Sequence, residues 1–110
     1  MRHYYFVTMK RLMYSVDQKK WNQYATEVQL KNIAAELSRA SHASIYPGKS
    51  GAGWAQDAYE RAISLIDASI ADAKWKDKHM LYELRDAVAS LYAGQDNPAV
   101  SRLISSYLAR

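Results

Sequence analysis

The densest run of residues able to do chemistry is Ala43 to Ser50, Ala-Ser-Ile-Tyr-Pro-Gly-Lys-Ser. It fits a relaxed phosphate-loop pattern in which Ala replaces the first Gly. Such a loop works by aiming several backbone N–H groups at phosphate, after a strand and before a helix. Here the preceding residues read as helix, Pro47 has no N–H to give, and Gly51 and Gly53 stand where the next helix should already run. No strand with a magnesium-binding Asp accompanies it, and 110 residues cannot hold the usual parallel sheet. The run therefore reads as an inter-helix loop. Lys49, Ser50 and the first N–H groups of the following helix keep at most the capacity to hold an anion.

The other chemical candidates are sparser. The histidines are His3, His42 and His79, and none forms a His-carboxylate pair that recurs on a second helix, as bundle metal sites require. His79 and Glu83, one turn apart, read as a solvated helix pair. Serines are many, but there is no Gly-x-Ser-x-Gly elbow. Glu60, Asp67 and Asp72 fall on or near the wet face of one helix, where they aid solubility. With no cysteine there is no disulfide, no thiolate-held zinc and no thiol nucleophile. The expectation is a protein without catalytic residues, bound metal or cofactor.

Two features point instead to partners. The formal net charge is +4, and residues 1–20 account for all of it, with five bases against Asp17, while the rest of the chain balances. A local basic cluster can meet phosphates. His3, Lys10, Arg11, Lys19 and Lys20 are the candidate anion or nucleic-acid contacts, with Tyr14 placed to stack on a base. A solvated helix commonly carries such a cluster and is the favoured reading, and no helix-turn-helix pattern supplies a recognition helix. The second feature is the aromatic content: nine Tyr, three Trp and one Phe exceed what a small bundle must bury. Tyr and Trp suit surfaces with an apolar body and a polar rim. Trp21, Tyr24, Trp54, Trp75 and Tyr92 are the candidate partner surface.

The elements that would position these residues are helical. Tyr5, Phe6, Met9, Leu12, Met13 and Val16 recur at helical spacing; the strand-prone run Tyr4 to Thr8 is shorter, so a helix is favoured over residues 4–16. Between Ser15 and Ala43 there is neither Gly nor Pro. Trp21, Tyr24, Ala25 and Val28 share one face, and Leu30, Ile33, Ala34 and Leu37 share a nearly opposite one. Either one helix is buried on both sides, or the chain breaks near Thr26, where Thr26 and Gln29 have the form of a capping box. Residues 41–53 hold three of the four glycines and one of the two prolines, the clearest loop. A helix starts near Ala52–Trp54, with Ala58, Ala62, Leu65, Ile66, Ile70 and Ala73 as its apolar face. Tyr59 to Ile70 resembles the second helix of a tetratricopeptide repeat over about a third of one unit, but no ~34-residue period follows. The stripe Met80, Leu81, Leu84, Ala87, Val88, Leu91 is in phase with the previous one, so 54–93 could be one helix or two. A turn at Ala73–Asp77 with Asp77 as cap is preferred. Gly94 suits a left-handed helix end, Asn97 a cap and Pro98 a first turn. The last helix carries Val100, Leu103, Ile104, Tyr107 and Leu108 as one stripe.

Hydrophobic residues at 49% and charged residues at 24% match an ordinary globular chain. No apolar run reaches the ~18 residues that span a membrane, and the N-terminal run is too short for a signal peptide. The sequence thus predicts an all-α, single-domain bundle of four to five helices over residues 1–110, cytoplasmic, with the loop 41–53 between its halves. Its expected role is a protein-binding module whose partner includes itself, as a homodimer. The alternative is nucleic-acid binding through residues 2–20.

Overall fold

The computed structural model describes residues 14–43, 49–94 and 98–108. Among them are five helices and no strand: α1 Gln18–Trp21, α2 Thr26–Ala43, α3 Lys49–Ile70, α4 Lys78–Tyr92 and α5 Pro98–Leu108. The fold is an all-α bundle. Helix α3 is its spine, packed against α2 on one side and α4 on the other, with α1 near its C-terminal half. Helix α5 lies on α2. The α2 and α3 axes run antiparallel: Gln29 meets Ser69, Glu36 meets Arg61, and residues near Ala43 face Trp54.

Ile33, Leu37, Ile63, Ile66, Leu81 and Val88 are fully buried. Each such side chain contributes roughly 1.5–3 kcal/mol by leaving water. Ala34, Ala40, Ala58 and Ala62 are buried between them and let helix backbones approach closely. Helix α4 is held to α3 at two heights. Arg85 Nε and Nη2 donate to the Asp67 carboxylate at 2.5 and 3.2 Å, and the Tyr92 hydroxyl donates to Glu60 at 3.1 Å.

The chain breaks before Thr26, which resolves the two opposed faces of residues 21–37. Asp17 caps α1 by accepting the Lys20 N–H, and Trp21 turns inward from that short helix. Gln29 does not close a capping box. Its side chain enters the core, where it shares a face with Ile33 and Leu37. A second break separates α3 from α4, and Asp77 caps the new start by accepting the Met80 N–H. This break begins at residue 71, so Ala73 stands exposed in the turn instead of extending the apolar face. Gly94 closes α4 with φ +110°, a backbone region that favours glycine.

Two sequence expectations need correction. The loop 41–53 is shorter than its composition suggests, because α2 runs to Ala43 and α3 starts at Lys49. Burial of Ser41 and Ala43 rewards the extra α2 turn, and Gly51 and Gly53 are carried as helix interior at roughly 1 kcal/mol each relative to Ala. The second concerns α5. Leu108 is buried and Ile104 packs partly against the core, but Val100, Leu103 and Tyr107 face solvent. Ser101 turns inward instead, within 3.0 Å of the Tyr59 hydroxyl, and Ser105 donates to the Ala34 carbonyl. Those bonds set the rotation of the helix. The expected helix over 4–16 lies mostly outside the described residues; residues 14–17 belong to no helix, and Val16 packs against the core.

Candidate functional site

The densest polar cluster among the described residues lies inside, around Gln29. Its two Nε2 hydrogens are shared among the Trp21 carbonyl (3.1 Å), the Tyr24 carbonyl (3.3 Å) and Asp72 Oδ2 (2.9 Å). Its Oε1 accepts from Ser69 (2.9 Å) and from the Trp75 indole (2.6 Å). An indole N–H can only donate, so the amide orientation is fixed chemically. The Trp21 indole in turn donates to Ser69 at 3.1 Å. Lys74 places its ammonium against three acceptors, the Asn22 and Tyr24 carbonyls and Asp72 Oδ2, one for each hydrogen. Lys78 donates to the carbonyls of Ile70 and Asp72. Among the described residues no buried side-chain polar atom lacks a partner. The cluster acts as a lock joining α1, α2 and the α3–α4 turn.

Asp72 registers how tightly the lock is made. Burial pushes its carboxyl upward, but the Lys74 backbone N–H, the Lys74 ammonium and the Gln29 amide outweigh that and bring it from 3.8 to about 2. A depressed carboxyl stabilises the fold above its unfolded value and loses that contribution as pH falls toward the folded one. Stability should therefore fall by roughly 2 kcal/mol between about pH 5 and pH 1. Urea titrations across that range measure it, and Asp72→Asn should flatten this acid limb. An unchanged acid limb in the variant would show that other carboxylates carry it.

The aromatic candidates divide. Trp21, Trp75 and Tyr92 are buried, each with its polar edge satisfied by Ser69, Gln29 and Glu60 respectively. As core residues they offer a partner no surface in this fold. Tyr24 is partly exposed and stacks edge-on against Trp21, with ring centroids 5.8 Å apart. Trp54 is different: it is 60% exposed and stands on the wall of a groove of about 510 Å³ between α2 and α3. Ser38, Arg39, His42 and Ala43 line one side, and Asp57 and Arg61 join Trp54 on the other.

The charges of this groove are organised. Glu36, partly buried at its edge, takes Arg61 Nε on one carboxylate oxygen and Arg39 Nη1 on the other, both at 2.9 Å. A single carboxylate thus orients two guanidiniums, and each has further N–H donors beyond the one it gives to Glu36. His42 Nδ1 lies 2.8 Å from the Ser38 carbonyl; a carbonyl only accepts, so Nδ1 carries a proton in this pair. The groove combines one large amphipathic ring, two planar cations and the Asp57 carboxylate.

No protein-family model matches the chain, and no curated protein or solved structure does. What the groove does has to follow from its own chemistry. Among the described residues no group of histidines and acids could hold a metal ion. His79 and Glu83 meet at 3.3 Å with both side chains largely in water, as their spacing predicted. No helix of the described residues is long and apolar enough to cross a membrane. Of the basic candidates, Lys19, Lys20 and Tyr14 are exposed near α1, while His3, Lys10 and Arg11 lie outside the described residues.

Sequence reasoning named Trp54 but missed Arg39, His42 and Arg61. They come together only because α2 and α3 are antiparallel, and no local pattern announces that. Gln29 carried a readable signal, since a polar residue in register with Ile33 and Leu37 belongs to a buried stripe.

Proposed function

We propose that this protein is a helical interaction module that binds a protein partner in the Trp54 groove. The observation that supports it is a tryptophan left 60% exposed beside two arginines already oriented by a shared carboxylate. Trp and Arg are the residue types that dominate binding energy at protein interfaces, because they bury large area and pair bidentately with carboxylates. A volume of about 510 Å³ accepts two or three side chains of a partner segment. The matching segment carries an apolar or aromatic anchor for the Trp54 ring and an acidic residue for Arg39 or Arg61. The basic end of the chain supports the nucleic-acid reading less well, because Asp17 stands beside Lys19 and Lys20 and caps their helix.

Hot-spot substitution by Ala typically costs about 2 kcal/mol or more, which is roughly a 30-fold loss of affinity. A photo-crosslinking residue at position 54 should give a discrete adduct with a partner protein in cells that express the chain. Trp54→Ala should then weaken that partner's binding roughly 30-fold, with the helical circular dichroism unchanged. Binding that survives both Trp54→Ala and Arg61→Ala would place the contact elsewhere.

A further inference from the structure

Helix α5 turns Ser101 and Ser105 inward and Val100, Leu103 and Tyr107 outward. Val100, Leu103 and Tyr107, at spacings of three and four residues, form one ridge, with Leu103 70% and Tyr107 63% exposed. A surface helix ordinarily buries such a stripe. The rotation is fixed by the Ser101–Tyr59 and Ser105–Ala34 hydrogen bonds, so the ridge cannot roll inward without breaking both. Leu103 and Tyr107 also form one wall of a groove of about 380 Å³, completed by Met80, Glu83, Leu84 and Ala87 of α4 and Ile104 and Leu108 of α5. Ridge and groove are continuous. Of the five residues of the α5 apolar stripe, three stand outside the core.

We propose that the α4/α5 face joins two copies of this chain around a two-fold axis, the ridge of each copy lying in the groove of the other. A two-fold contact requires one patch that complements itself, and a ridge next to a groove of matching chemistry meets that requirement. The charges agree. Arg102 is the charged residue of α5 within Pro98–Leu108, and it is exposed. Glu83 is the charged residue lining the groove, and Asp86 is exposed on the same helix. Exchange across the axis brings Arg102 of each copy toward the acidic flank of the other, so the attraction occurs twice. This contact uses a different face from the Trp54 groove and stands or falls independently of it.

Sedimentation velocity on the full chain, from low to high micromolar, tests the proposal. A concentration-dependent monomer–dimer equilibrium is expected. Leu103→Glu should raise the dimer dissociation constant by about 100-fold, because the change strikes a symmetric contact twice. Its exposure means the monomer keeps its helical signal. Arg102→Glu should weaken the dimer, and adding Glu83→Arg to it should restore association. A chain that stays monomeric throughout overturns the proposal. So does a dimer indifferent to Leu103→Glu, or a face that takes up only an unrelated protein.

Discussion

A chain that begins at Thr26 is expected to lose its fold. Such a truncation removes Trp21, which is 5% exposed, together with Val16, packed against the core. It also removes the Trp21, Asn22 and Tyr24 carbonyls, which accept from Gln29 and Lys74. Loss of a buried Trp side chain costs about 3–5 kcal/mol. Each buried donor left without its acceptor adds roughly 1–3 kcal/mol. Together these match the ~5–15 kcal/mol that holds an ordinary domain together. Far-ultraviolet circular dichroism and size-exclusion chromatography of the truncated chain should show lost helix and an expanded or aggregated species. A helical, compact, monomeric product would mean that residues up to 25 form a detachable arm and that the lock around Gln29 contributes little.

Replacing Gln29 by Ala should cost about 3–5 kcal/mol, the largest effect expected of a single substitution on the lock. The change leaves the Trp75 indole and the Ser69 hydroxyl without their shared acceptor, and takes one donor each from Asp72 and the Trp21 carbonyl, which keep Lys74 and the Tyr24 N–H. Gln29→Glu separates the polar account from simple packing. A carboxylate there can still accept from Trp75 and Ser69, but it sets negative charge against Asp72, which Gln29 approaches to 2.9 Å. That variant should be as unstable as Gln29→Ala at neutral pH and should regain stability, relative to it, as acid protonates the new carboxyl. Urea midpoints of the two variants across pH decide the matter. If both lose less than about 1 kcal/mol, the network is ornamental.

The element types were legible from sequence because their signals are local. Asp77, Gly94 and Pro98 mark helix ends by their own backbone and side-chain chemistry, and each sits where that chemistry places it. The failures share a different origin. Helical spacing tells which residues of α5 lie on one face, but not which way that face turns; two serine hydrogen bonds made to other helices decide it. The spacing of Thr26 and Gln29 suits a capping box, yet Gln29 finds stronger partners across the bundle. Trp21, Trp75 and Tyr92 looked surplus to a small core because their polar edges need partners, and those partners sit 32 to 48 residues away. The Trp54 groove was legible only through Trp54. Its arginines and histidine become neighbours through the antiparallel pairing of α2 and α3.

The lock around Gln29 also orders events in time. Its bonds join residues far apart along the chain, with 43 positions between Gln29 and Asp72 and 52 between Asn22 and Lys74. During synthesis, α1 and α2 emerge before Asp72, Lys74 and Trp75 exist, so the Gln29 amide stays hydrated until the α3–α4 turn has been made. Contacts of such long loop closure form slowly and add stability only after the entropy of closure has been met. The N-terminal third of the protein is thus stabilised from its middle, and a ribosome-bound chain that stops before residue 68 should leave α1 undocked and open to proteolysis.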